Sequence, residues 1–136
     1  MGDPECQTIL PKLKSNLLDI LLSCCDETLN EIKIEWHNKK SLCVVLCSNG
    51  YPDQFKKNVI IENLDKIKLN KDEYCYHAGT SVIKGEVCAS GGRVLNFVCV
   101  SDDFSIARIK IMNIINLLNW KSGFFRKDIA YKVIDE

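Results

Sequence analysis

The 136-residue sequence is short of the residue types on which specialised chemistry usually depends. It has two histidines, His37 and His77, and three prolines. Neither histidine has a nucleophile and an acid at a spacing that would fix a catalytic triad. Net charge is absent, since 18 basic residues balance 18 acidic ones. That balance argues against a dedicated nucleic-acid binder, which normally carries a basic face, and leaves a local phosphate site open. No apolar run approaches the about 20 residues of a membrane helix. Residues 1–16 carry Asp3 and Glu5 and lack the continuous apolar core of an export signal. A Walker phosphate loop and paired CxxC zinc spacing are both missing. There is no repeat and no low-complexity stretch.

What is present is enough apolar material for a core, 46% of the residues, and eight cysteines. Cys24 and Cys25 are adjacent, and Cys43 and Cys47 are four apart, with both histidines distant in sequence. Most of the eight lie in apolar runs such as Ser41–Cys47 and Phe97–Val100. They read as reduced, buried small hydrophobes, without a metal site or a disulfide framework. A reducing cytoplasm fits this usage.

Along the chain, Pro4 suits a first helical turn and Pro11 a break. Leu17, Leu18, Leu21 and Leu22 recur at helical spacing, with Ser15 or Asn16 as the cap and Asp19 in the first turn. Asp26 to Asn30 ends that helix, and His37–Lys40 is the best linker. Leu42–Cys47 reads as a buried strand, Ser48–Asp53 as turn chemistry, and Val59–Ile61 as a short strand. Tyr74–Ile83 and Glu86–Ala89 bracket a hairpin turn at Lys84-Gly85. Val94–Val100 is a further strand. Asp102 and Asp103 cap a helix whose core stripe is Ala107, Ile111, Ile114, Ile115 and Leu118, and which ends near Asn119 to Gly123, where Gly123 can act as a stop. The order helix, strands, helix predicts an α+β fold with a mostly antiparallel sheet.

Four segments have compositions unusual for a core. Gly2-Asp3-Pro4-Glu5 sets two carboxylates at a helix entrance, which the helix dipole alone would explain. Gly50-Tyr51-Pro52 is turn chemistry first. His77-Ala78-Gly79-Thr80 places a histidine beside a glycine that permits a bulge or a close backbone approach. Ser90-Gly91-Gly92-Arg93 exposes backbone N–H groups beside a guanidinium, a weak anion site. Arg126-Lys127-Asp128 pairs with it as a second cationic segment, or is simply a salt-bridged turn.

Taken in order, these segments resemble the phosphoribosylamine–glycine ligase family, also called glycinamide ribonucleotide synthetases. The resemblance rests on Gly2-Asp3-Pro4-Glu5-Cys6-Gln7, Lys14-Ser15-Asn16-Leu17, Gly50-Tyr51-Pro52, Tyr76-His77-Ala78-Gly79-Thr80, Gly91-Gly92-Arg93-Val94-Leu95 and Arg126-Lys127-Asp128-Ile129. It covers essentially the whole chain. Asn16, Ser90 and Ala130 depart from the family's usual Asp, Asn and Gly. The resemblance implies that residues 1–38 end an ATP-grasp domain. It implies that residues 39–136 form the family's carboxy-terminal domain, a small barrel-like β unit with helices.

The family joins glycine to phosphoribosylamine with ATP and Mg²⁺ or Mn²⁺, giving glycinamide ribonucleotide in purine synthesis. Its nucleotide-binding strands and metal ligands match positions before Met1, so the resemblance implies no catalytic and no metal-ligating residue here. ATP cleavage by this chain alone is not expected. The substrate-side wall would be Gly2, Asp3, Pro4, Glu5, Gly91, Gly92 and Arg93, joined by Arg126 or Lys127, with His77 and Thr80 as weaker members. Small-molecule substrates are the expected partners, with neither nucleic acid nor membrane. The alternative is a non-catalytic fragment or split subunit docking on a separate ATP-grasp chain. Met1 falls where the family has a hydrophobic residue, so an internal methionine taken as a start also fits.

Overall fold

The computed structural model describes residues 2–134, so Met1, and with it the start-site reading, lies outside them, as do Asp135 and Glu136. The described residues form seven strands and four α-helices. The helices are α1 (Glu5–Ile9), α2 (Leu17–Cys25), α3 (Phe104–Leu118) and α4 (Tyr131–Ile134). The strands are β1 (Lys40–Ser48), β2 (Val59–Ile60), β3 (Glu73–His77), β4 (Thr80–Ile83), β5 (Glu86–Ala89), β6 (Arg93–Ser101) and β7 (Gly123–Phe124).

Two open sheets carry the fold. The larger has the order β3-β6-β1-β7 and the smaller β2-β5-β4. All the pairings are antiparallel. The expected α+β architecture with antiparallel strands is what the chain adopts, but the strands do not close into a barrel. Both ends of each sheet remain edges.

β6 is the centre. Val94 to Val100 are buried without interruption, as a strand covered on both faces must be. β1 alternates instead, with Leu42, Val44 and Leu46 buried between half-exposed neighbours. Register places Leu42 opposite Cys99, Val44 opposite Phe97 and Leu46 opposite Leu95 on one face. The apolar stripe of α3 (Ala107, Ile111, Ile114, Ile115, Leu118) forms one core with that face. The short α1 packs on β1 and β6.

Several local expectations change. Tyr74–Ile83 is not one strand. The chain leaves the larger sheet at His77 and enters the smaller at Thr80, so Ala78 and Gly79 are the crossing point. The Lys84-Gly85 turn has φ of +52° and +88° at its two central residues, as a type I′ hairpin requires. α3 stops at Asn119, whose left-handed backbone (φ 46°, ψ 38°) caps it, and not at Gly123. Gly123 instead lies in β7, where a Cβ would fall 2.2 Å from the Trp120 ring. Pro4 is the residue before α1 and not within its first turn.

The largest departure is α2. Asn16 caps it as expected, accepting a hydrogen bond from the Leu18 N–H, yet none of its residues is buried. Leu18, Leu21 and Leu22 are 60%, 49% and 52% exposed. A neck explains this. Lys14 and Ser15 donate to the Glu35 carbonyl, and the His37 N–H donates to Lys12. Residues 16–34 therefore project as a closed excursion, and the leucine stripe faces outward.

Candidate functional site

The segments that stood out in sequence meet at one end of β6. Gly79 is the hub. Its N–H donates to the Arg93 carbonyl at 2.9 Å, and its own carbonyl accepts from Ser90 at 2.8 Å and Gly91 at 3.0 Å. A Cβ on Gly79 would lie 2.5 Å from the Arg93 oxygen and 2.7 Å from the Gly91 Cα. The two glycines thus let the β3–β4 crossing and the β5–β6 loop touch backbone to backbone.

A third segment closes from the other side. The Tyr51 ring lies on Gly92, where a Cβ would fall 2.1 Å from a ring carbon. Ser48, at the end of β1, donates through its backbone N–H to the Gly92 carbonyl and through its hydroxyl to the Gly91 carbonyl. The Gly91 N–H is therefore spent on Gly79, inside the protein. The glycines serve packing, and what the loop presents outward is the Arg93 side chain.

The amino-terminal segment reaches that side chain. Arg93 Nη1 donates to the Asp3 carbonyl at 3.1 Å, and Nη2 lies 3.1 Å from Asp3 Oδ2. Asp3, in turn, accepts from Gln7 Nε2 on α1. Gly2 adjoins the Glu5 side chain, within 3.1 Å of its carboxylate for a Cβ placed there. Asp3 thus sits against the Arg93 side chain, with Gly2, Pro4 and Glu5 next to it in the chain. His77 Nδ1 and Thr80 Oγ1, 3.0 Å apart, bracket the Ala78–Gly79 crossing on the exposed side.

The second cationic segment lies elsewhere. Arg126 makes a two-pronged ion pair with Asp128, which holds the Asp128 carboxyl below its usual range. The Lys127 carbonyl accepts from Arg108 Nη2 on α3. Among the described residues, no hydrogen bond or ion pair joins Arg126 or Lys127 to Arg93 or its neighbours. The local salt-bridged turn accounts for them.

Sequence reasoning missed Ser48 and Tyr51 as the residues that lock the glycine loop. The Gly50-Tyr51-Pro52 composition was visible, but its contact with Gly92 is tertiary. The cysteines also divide. All eight are free thiols. Cys88 and Cys99 are buried, and burial pushes Cys43 and Cys75 up to about 11. Cys24 and Cys25, by contrast, are exposed on α2, so the reading of buried small hydrophobes fails for that pair. Among the described residues no three His, Cys, Asp or Glu side chains group as a metal site. No helix among the described residues is long and apolar enough to cross a membrane.

Comparison with known proteins supplies the family. Residues 41–132 match the model of the phosphoribosylglycinamide synthetase C domain. A phosphoribosylamine–glycine ligase of Caldanaerobacter subterraneus is 40% identical over 129 residues, 95% of this chain and 30% of that protein. One from Brucella melitensis is 35% identical over 134 residues, 98% of this chain and 31% of the relative. The crystal structure of the Thermotoga maritima phosphoribosylamine–glycine ligase superposes with a TM-score of 0.70 at 25% identity. The match covers 96% of this chain and 31% of that one. The chain thus spans less than a third of the length of these relatives.

Proposed function

The chain belongs to the phosphoribosylglycinamide synthetase family, and we propose that it supplies the substrate-side wall of a phosphoribosylamine–glycine ligase. The reaction would be the ATP-dependent joining of glycine to 5-phosphoribosylamine, giving glycinamide ribonucleotide, ADP and phosphate. In this reading residues 1–38 continue an ATP-grasp domain and residues 39–136 are the carboxy-terminal domain. The observation that carries the proposal is the Arg93–Asp3 contact, which joins two family segments 90 residues apart into one surface.

The chemistry follows from that surface. Arg93 is a planar donor fork, able to hold a carboxylate or phosphate bidentately. Its present partner is an exposed aspartate, and an exposed pair contributes on the order of 0–1 kcal/mol. An anionic substrate can therefore take over the fork at little cost. Gly91 and Gly92 keep the fork on a rigid strand end, and Asp3, Pro4, Gly2 and Glu5 line the approach. The His77–Thr80 pair offers a hydroxyl and an imidazole nitrogen to a sugar on the same side. Arg126 and Lys127, held by Asp128 and Arg108, would act only at the periphery.

ATP and its divalent metal belong to the whole enzyme. The described residues contain no grouped ligand set for the metal, so no step of the reaction is assigned to a metal held by this chain. Such chemistry consists of positioning and charge stabilisation, and these residues would supply positioning.

The test joins this chain to the amino-terminal part of a relative such as the C. subterraneus enzyme and follows phosphate release. Arg93→Ala should raise the KM for phosphoribosylamine or lower turnover by about tenfold or more, the loss of a charge-assisted bidentate contact. Unchanged KM and turnover would remove Arg93 from the wall. The 136-residue chain by itself should release no phosphate from ATP in the presence of both substrates.

A further inference from the structure

A second cleft borders the glycine loop through Ser48, but Arg93 is not among its lining residues. It has a volume of about 530 Å³ and opens between two turns, the one after β1 and the one before β7. Lys56 and Lys121 lie on its rim, Gln54 and Ser122 add polar side chains, and Phe55 and Trp120 add apolar wall. No acidic residue lines it, although the chain as a whole is charge-neutral. Neither lysine has a carboxylate within ion-pair distance among the described residues. Both lysines are thus without an ion pair, as most Lys and Arg side chains of the chain are, and what sets them apart is that they line one cleft with no acid in its wall.

The walls are built, not accidental. The Asn49 N–H donates to the Ser122 carbonyl at 2.9 Å, and Asn49 Nδ2 donates to the Lys121 carbonyl at 3.1 Å. Those two bonds tie one turn to the other. Gly50 has φ of +96°, and a Cβ there would meet the Gln54 carbonyl at 2.2 Å, so the first turn is folded tightly back on itself. Trp120 is buried and donates its indole N–H to the Ile60 carbonyl at 2.9 Å. The backbones of the two turns are thus tied to each other, while the exposed Lys56, Lys121 and Gln54 side chains would be ordered by the ligand.

We propose that this cleft binds the phosphate group of a small phosphorylated molecule between Lys56 and Lys121. Two ammonium groups suit a dianionic phosphate, and the unengaged Gln54 and Ser122 side chains supply further hydrogen bonds. Phe55 and Trp120 give the remainder of the molecule an apolar surface. Arg93 does not line the cleft, so a phosphate held here would be a second anion on the domain, beyond the substrate of the proposed reaction.

The experiment is a titration of the isotope-labelled 136-residue chain, followed by NMR at low ionic strength. The reporters are the backbone amides of residues 48–56 and 120–123 and the indole N–H of Trp120. The probes are inorganic phosphate, ribose 5-phosphate and, as the uncharged control, ribose. Both phosphates should give saturable shifts at these residues, and ribose none. Lys56→Ala with Lys121→Ala should weaken binding by about tenfold or more, whereas Arg93→Ala should leave it unchanged. Tighter binding of ribose 5-phosphate would assign the site to a phosphate ester, and equal binding to free phosphate. Absence of saturable shifts, an equal response to ribose, or undiminished affinity in the double variant would each overturn the site. Loss of the shifts in Arg93→Ala would reassign them to the other surface.

Discussion

Gly92 shows how far a single residue can be read from sequence. Paired glycines next to an arginine suggest backbone N–H groups held out to an anion. The structure gives a different reason for this glycine, since the Tyr51 ring occupies the space a Cβ would need. That contact joins two loops far apart in the chain, and no local pattern announces it. Gly92→Ala should therefore destabilise the chain by about 1–3 kcal/mol through overpacking. The same change in a Tyr51→Ala background should cost distinctly less, and a double-mutant cycle by chemical denaturation measures the difference. Thiols make a second residue-scale case. Cysteine in an apolar run reads as core, which holds for Cys88 and Cys99 but fails for Cys24 and Cys25. Burial also pushes Cys43 and Cys75 up to about 11, leaving them as unreactive thiols near neutral pH. Alkylation at pH 7.5, read by peptide mass spectrometry, should label Cys24 and Cys25 well before Cys43, Cys75, Cys88 and Cys99. Early labelling of Cys43 or Cys75 would contradict their placement.

At the scale of the element, α3 was legible almost residue by residue. Its apolar spacing identifies the five buried positions, because a helix on a sheet has one face to bury. Asp103 was legible as its cap, and its carboxylate accepts from the Ser105 and Ile106 N–H groups at 2.6 and 3.2 Å. The helix end was legible only as a range, from Asn119 to Gly123. Asn119 takes the left-handed cap that a glycine usually fills, so the glycine signal pointed four residues too far. Hydrogen bonds from Ile106 and then Ser105 lower the Asp103 carboxyl below its usual value. A depressed folded value means the cap stabilises above the ordinary aspartate range, about pH 4, and that this contribution fades as pH falls through the folded value. Asp103→Ala should lower Tm throughout the neutral range. Asp103→Asn keeps an acceptor but no titrating charge, so it should retain most of the neutral-pH Tm while flattening the acid decline. Thermal melts between pH 3 and 7 would show whether the two variants separate in this way. The β3–β4 break escaped the sequence for a related reason. Gly79 signals a bulge or a close backbone approach, but only the sheet assignment reveals that the chain changes partners at Ala78–Gly79.

On the scale of the whole molecule, amphipathic spacing alone cannot say what covers an apolar face. α2 and α3 both carry leucine and isoleucine stripes, yet one stripe is core and the other is bare. Leu118, the last residue of α3, is fully buried in the core, whereas Leu21 is 49% exposed on the excursion held by the Lys12–Ser15 and Glu35–His37 neck. Leu118→Ala should accordingly cost about 2–5 kcal/mol. Leu21→Lys should change the stability of the 136-residue chain by no more than about 0.5 kcal/mol, as an exposed position does. The contrast becomes informative when the chain is joined to the amino-terminal part of a relative. Under the proposed function residues 1–38 continue an ATP-grasp domain, and the α2 stripe would then pack against the rest of that domain. Leu21→Lys should in that setting lower the unfolding midpoint and slow phosphate release, although it is silent in the shorter chain. A variant silent in both settings would mean that the α2 stripe is not part of that domain's core, and the boundary near residue 38 would have to move toward the amino terminus.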